Sequence, residues 1–505
     1  MENLTFPSYF PTLNSSGIAM EASSRFTSST ITTKILLVSL LLISWIIARS
    51  IFGTFKAFRS PLRRLPGPWY AFLTTIHLKY GFATGTIWKL VERSHKQYGP
   101  IVRLGPRQVW ISDKDAMKQI LLKIDLPKVA MYAEISRDRF SPGLFGEIRP
   151  TPHKRLKRFL SPAFTVAYID NLETFFAGTI RDLLNKYEVS LADDSTESNC
   201  IEVDLMDDLH NVALDIMGEC SFGRGFGQTN PAAEIEQEFT DTICTGTTAI
   251  DAVVQRRHGA DDATRKDLLQ HLIDEGTKPD TLKTMNARDI VDRVSEILLA
   301  GSETTSGTTA CLFRELARNP DKRAKLLDSL PVLDVHDDIV SGKTVRNDPK
   351  YGYLNACIKE ALRLHPIASE MGRRTGDQWV QLMGYNLPPH TVVSASYRDL
   401  HRNGKYFPDA LRFKPERFLQ GSERGDVPAA DMDAYFPFSA GEHSFIGINF
   451  AWAEMRMIAV NLLSRFDVIE VSGQDIDFRQ YITMQFASGH WKAVLIPRGK
   501  TGNVE

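Results

Sequence analysis

Residues 436–456 read FPFSAGEHSFIGINFAWAEMR. The first half has turn chemistry: Ser439-Ala440-Gly441 should loop rather than extend. After it the apolar residues fall at helical spacing, at Ile446, Phe450, Ala453 and Met457, which predicts a helix with an apolar face. Upstream, residues 297–305 read ILLAGSETT. That is an apolar helical run with a glycine, two threonines and one carboxylate, Glu303. Glu360 and Arg363, in the tetrapeptide EALR, lie at i,i+3 and so share a helix face. His153 and Lys157 share one in the basic run HKRLKR.

In this order and spacing the segments resemble the cytochrome P450 (haem-thiolate monooxygenase) family, from about Pro66 to Pro497. The family's loop pattern is F-x-x-G-x-R-x-C-x-G, followed by A-x-x-E-x-R. Phe438, Gly441, Gly447, Ala451, Glu454 and Arg456 stand where that pattern wants them. His443 stands where the pattern has an arginine to a haem propionate. Phe445 stands where it has the cysteine that ligates iron. A thiolate donates electron density to iron; a phenyl ring offers no lone pair and is bulkier than a sulfur.

The resemblance implies a fold that is mainly α with a smaller β part, preceded by a transmembrane helix. It implies haem as cofactor, with Lys157, Arg374, His443 and Phe445 at the haem positions. Lys157 keeps the charge of the family's arginine but loses its bidentate fork; a basic surface helix facing anionic lipid or a redox partner is the other reading. His443 is expected to be a solvent-facing or hydrogen-bonded loop residue, with ligation of iron as the alternative. Ala300 and Gly301 should line the substrate pocket, Gly301 letting a flat ligand approach the helix. Thr304 can hydrogen-bond a helix carbonyl, and Glu303 with Thr304 could relay protons as a catalytic acid–alcohol pair. Glu360, Arg363 and Arg417 resemble a buried structural ion-pair triad.

The chain has 505 residues, 43% of them apolar, ample for a large core, and a formal net charge of −1. Nothing in that balance suggests a nucleic-acid partner. Cys200, Cys220, Cys244, Cys311 and Cys357 show no C-x-x-C spacing, so free thiols are expected and no metal set is read from them. Residues 35–48, ILLVSLLLISWIIA, are uncharged. Extended back to Thr30 they approach the ~20 residues a bilayer needs. Arg49, Lys56, Arg59, Arg63 and Arg64 follow, with no acid before Glu92, which marks the cytosolic side. A cleaved signal peptide fits less well, because the run starts late and no small-residue cleavage site follows.

The expected organisation is a lumenal tail (1–29) with sequons at Asn3 and Asn14, a membrane anchor (30–48), a basic linker (49–65) and a cytosolic domain (66–505) at the endoplasmic reticulum. Residues 101–104 and 109–112 have strand composition around Gly105-Pro106. The stretch from Gly223 to Gly301 is a few dozen residues shorter than the family usual.

Three functions are open at this level. A repurposed catalyst could perform proton transfer, dehydration or cyclisation on a small lipophilic substrate. A haem monooxygenase would draw electrons from NADPH-cytochrome reductase. A membrane-bound scaffold would bind without catalysis.

Overall fold

The computed structural model describes residues 34, 36–42, 44–45, 48, 51–53, 55, 58–135, 142–192, 199–223, 225–230, 267–276, 283–474 and 476–499. Asn3, Asn14, Cys244 and most of the short Gly223 to Gly301 stretch lie outside them. So do parts of the expected anchor and of the basic linker. Among the described residues no helix is long and apolar enough to cross a membrane. Those described in the apolar run, including Leu36, Leu37, Val38, Leu40, Leu41, Leu42 and Trp45, are exposed.

From Arg64 onward the chain is mainly helical. Helices α1 (Pro150–Leu160), α2 (Val166–Ala192), α3 (Leu205–Phe222), α4 (Ala287–Arg318), α5 (Gly352–Leu364) and α6 (Ile448–Arg465) frame the site. The strands are β1 (Ile101–Gly105), β2 (Gln108–Ile111), β3 (Ile201–Asp204), β4 (Glu370–Arg374), β5 (Val380–Leu382), β6 (Tyr385–Leu387), β7 (Val392–Ser396), β8 (Phe466–Glu470), β9 (Phe478–Gln480), β10 (Met484–Phe486) and β11 (Lys492–Pro497).

A four-stranded sheet runs β1-β2-β7-β4, with β2 and β7 parallel and the other pairs antiparallel. The β1–β2 hairpin falls where the alternation and Gly105-Pro106 put it. A second sheet runs β3-β11-β8, and β5–β6 and β9–β10 are two-stranded.

The longest of these helices is α4, with 32 residues. Its start is fixed by a capping box: Asn286 accepts from the Asp289 backbone N–H at 2.9 Å, and Asp289 accepts from that of Asn286 at 3.0 Å. Two orphan donors of the first turn are thus satisfied. Helices α3, α5 and α6 all pack against α4.

The expected one-faced helix after Ile446 is buried on nearly all sides as α6. Phe450, Ala453, Met457, Val460 and Leu463 lie in the core, and α2, α4, α5 and a short helix at Gly342–Asn347 surround it. Phe450 meets Phe176 of α2 edge-on, with ring centroids 4.9 Å apart. Each such fully buried apolar side chain contributes about 1.5–3 kcal/mol. This packing fixes the angle at which the preceding loop, residues 436–447, enters the core.

The Glu360 triad holds the other side of that loop. Arg363 donates to both Glu360 carboxyl oxygens, at 2.7 and 2.8 Å, and Arg417 donates to one at 3.1 Å. The Lys414 backbone N–H adds a fourth bond at 2.8 Å. All three side chains are fully buried. Arg363 also donates to the carbonyls of His401, Ala410 and Arg412, and so ties α5 to the segment that leads into the loop.

Candidate functional site

A cavity of about 700 Å³ lies between α4, the 436–447 loop, β4 and the chain around Lys128. Its surface is mostly apolar, as a site for a lipophilic small molecule should be. Ala300, Gly301, Glu303 and Thr304 line it from α4, and Phe438, His443, Phe445 and Gly447 from the loop.

Phe445 donates its backbone N–H to the Phe438 carbonyl at 3.0 Å. The two rings stack at 13° with centroids 6.2 Å apart. A Cβ on Gly447 would sit 2.8 Å from Phe445 Cζ, so the ring lies folded against the glycine and only a residue without a side chain fits there. Lys157 reaches across from α1 and donates to the carbonyls of Glu442 at 2.8 Å and Ser444 at 3.1 Å, and to the Ser444 hydroxyl at 2.9 Å. It thus serves the loop's own acceptors, a role that neither sequence reading assigned to it.

His443 is buried. Its Nδ1 is 3.4 Å from His153 Nε2, and its Nε2 is 3.9 Å from Asp125 Oδ1. Of the two loop readings the hydrogen-bonded one describes it, since it does not face solvent. Burial, then Arg373, Lys128 and Lys157, hold the His443 imidazole at about 3. Burial, then Lys128, lowers His153 as well. Both rings are neutral near pH 7, and in the contact between them one nitrogen donates and the other accepts.

Of the cations that depress them, Lys128 lines the cavity, and Arg373 is buried next to Lys128. Lys128 donates to the carbonyls of Leu144 at 2.8 Å and Phe145 at 3.0 Å, and burial, then Arg373, lowers its ammonium to about 7. Lys128 and Arg373 face each other across an isolated antiparallel bridge. Arg373 is 1% exposed, and its Nε has no partner among the described residues.

The expected haem-position arginine, Arg374, is not part of this group. It is exposed and lies 3.0 Å from His390 Nδ1. Neighbouring residues of a strand point to opposite faces, so on β4 only one of the two arginines can turn inward, and it is Arg373.

The α4 wall brings Ala300, Gly301, Glu303 and Thr304 to the cavity as expected. A Cβ on Gly301 would come within 2.5 Å of the Met217 sulfur on α3. On that side the space is taken by the thioether, so Gly301 lets α3 and α4 pack closely while it also lines the cavity. Thr304 donates to the Ala300 carbonyl at 2.7 Å. Ser302, Ser306, Thr308 and Thr309 back-bond in the same way. This is the back-bond expected for Thr304, which lines the cavity beside Glu303. Glu303 Oε2 lies 3.2 Å from Gln485 Nε2 and 3.4 Å from Thr483 Oγ1.

Glu370 is a cavity residue that the sequence reading missed. It starts β4 and accepts from Trp110 Nε1 on β2 at 3.0 Å. Lys128, in the apolar run LPKVAMY, carried a usable signal, a lone cation among apolar residues. Arg373 was one of two adjacent arginines that the resemblance places near a haem propionate, Arg374 being the one chosen; Glu370 carried no signal, because its partner Trp110 comes from a distant strand.

Haem bound in this cavity would need cations for its carboxylates and a lone pair for its iron. Lys128 and the His153–His443 pair line the cavity, with Arg373 buried next to Lys128, and these groups suit the carboxylates. Phe445 supplies no lone pair, and both His443 nitrogens are turned to His153 and Asp125. The residues fit the rim of such a group and not its metal. Of the described cysteines, Cys220 reaches the cavity, from α3 rather than from the loop.

The cytochrome P450 family pattern matches residues 64–249 and 245–487. The chain is 29% identical over 481 residues to the cytochrome P450 monooxygenase acrD of Aspergillus aculeatus, covering 86% of this chain and 91% of that one. It is 28% identical over 481 residues to the cytochrome P450 monooxygenase LUC2 of Fusarium sp, covering 88% and 90%. To the cytochrome P450 monooxygenase FUS8 of Gibberella moniliformis it is 26% identical over 467 residues, covering 86% and 88%.

Proposed function

Because this chain belongs to the cytochrome P450 family, we propose that it takes a small lipophilic metabolite, of the kind made in fungal secondary metabolism, into the 700 Å³ cavity and performs a non-oxygenating step on it. The observation that carries the reading is Phe445, a side chain without a lone pair at the loop position where the family resemblance places the iron's ligand. Shape and a titratable group suffice for proton transfer, dehydration or cyclisation, and none of these needs electrons or dioxygen. The cavity walls supply both requirements. An apolar surface binds and desolvates the substrate, while carboxylates at Glu303 and Glu370 stand on that surface.

The test is incubation of the purified protein with the lipophilic intermediate of its pathway under nitrogen, without NADPH. Turnover at the aerobic rate is expected. Turnover that stops when either dioxygen or NADPH is withheld would overturn the reading and leave the second one, a haem monooxygenase served by NADPH-cytochrome reductase. The cation cluster that suits a ring's carboxylates favours that alternative, as do the names of the relatives.

The same proposal includes an endoplasmic-reticulum anchor at 30–48, with residues 1–29 lumenal and glycosylated at Asn3 and Asn14. Its support is the uncharged run, the exposed leucines within it and the basic residues after it. Removing the residues before Ser60 should shift the protein from the microsomal pellet to the salt-washed supernatant. A truncated chain that still behaves as an integral membrane protein would count against the anchor.

A further inference from the structure

We propose that Glu370 is the residue that gives and takes the proton in this cavity, touching a lipophilic substrate through its open carboxyl oxygen. The inference rests on the non-oxygenating reading for its biological meaning, but its chemistry can be tested apart from that reading.

The geometry singles Glu370 out among the carboxylates of the wall. Glu296 spends both oxygens on the backbone N–H groups of Phe145 and Gly146, at 3.0 and 2.9 Å. Glu303 sits between Gln485 and Thr483. Glu370 has one hydrogen bond, from Trp110 Nε1 to Oε2 at 3.0 Å. Among the described residues its Oε1 has no hydrogen-bond partner, and Glu370 lines the cavity. The indole therefore holds the carboxyl in place and leaves the second oxygen free for a ligand.

The surroundings set its readiness. Burial lifts the Glu370 carboxyl to about 7; the Trp110 bond opposes the rise and Asp399 adds to it. The other titratable group facing it is Tyr132, whose phenol burial raises to about 12. No cation is among the causes that set the Glu370 carboxyl. A group that titrates near the working pH is best placed both to donate and to accept a proton.

For a lipophilic alcohol the step balances without any co-reactant. The Glu370 carboxyl proton passes to the alcohol oxygen. The C–O bond breaks with its electron pair on that oxygen, and water leaves. The carboxylate then takes the proton from the adjacent carbon, whose C–H pair becomes the C=C bond. Glu370 ends protonated as it began, and the product is an alkene and water.

The probe for testing this is 5-nitrobenzisoxazole. A base opens it by removing one C–H proton: the C–H pair completes the nitrile, the N–O bond breaks, and a coloured phenolate leaves. The full chain in detergent, without reductant, should open the probe with saturation and with a rate that rises through about pH 7, following Glu370 ionisation. Glu370→Gln, which can still accept from Trp110, should lower the rate by about 10²-fold or more at an unchanged melting temperature. Trp110→Phe should move the pH midpoint upward, since the lost bond favours the ionised form; a purely structural carboxyl would show no such movement. Glu423→Gln, exposed and far from the cavity, serves as the control.

A Glu370→Gln rate within twofold of the unmodified protein would overturn the proposal. So would a loss that follows Lys128→Met instead. If the probe depends on Glu370 while the natural intermediate turns over only with dioxygen and NADPH, Glu370 stands as the cavity's base and the non-oxygenating reading alone fails.

Discussion

Arg363→Ala should yield no folded protein. The substitution removes two bonds from the Glu360 carboxylate and leaves it with Arg417 and one backbone N–H, in a place that water does not reach. It also strips donors from the carbonyls of His401, Ala410 and Arg412. Breaking a buried pair by deleting one partner costs about 3–5 kcal/mol. Whole domains are stable by only about 5–15 kcal/mol, so the change consumes much of the margin. Arg363→Lys keeps the charge, cannot fork onto both oxygens, and should be intermediate. Soluble yield and calorimetric melting decide the matter. An Arg363→Ala protein that melts within about 2 °C of the unmodified one would show that the triad contributes little to stability.

Phe445→Cys should convert a protein that does not ligate iron into one that does. Lys128, His153 and His443 already line the cavity where a ring's carboxylates would lie, with Arg373 buried next to Lys128. Gly447 leaves space beside position 445, and Lys157 keeps the loop closed from behind. What the loop lacks is a donor atom, and a thiolate is one. The half-buried ring leaves a void, so stability should drop by about 1–3 kcal/mol. Against that modest loss, haem retained after gel filtration should rise from a trace to near one per chain when hemin is added. If the cysteine variant retains no more haem than the parent, the cavity is not shaped for the ring, and the cation cluster has another purpose.

Local patterns in the sequence were enough to place the central helix, the loop, the Glu360–Arg363 pair and the β1–β2 hairpin. Each depends on residues a few positions apart, where spacing alone decides which side chains share a face. What was not legible depends on distant chain. Two adjacent arginines on a strand cannot both face inward, but only the pairing of β4 with β7 shows that Arg373 is the inner one. A glycine in α4 is visible in the sequence, but the Met217 side chain that takes its space lies 84 positions earlier. Lys157 looked like a cation awaiting an anion, and the acceptors it finds are carbonyls of a loop far downstream. Glu370 becomes an unusual carboxyl only once Trp110, Asp399 and the cavity surround it.

The 436–447 loop, with Phe445 in place, offers haem iron no sulfur. The most direct measurement is the absorbance spectrum of the purified, unmodified protein, reduced and saturated with carbon monoxide. The account predicts little bound haem and no thiolate-type band. Stoichiometric haem with that band would contradict it.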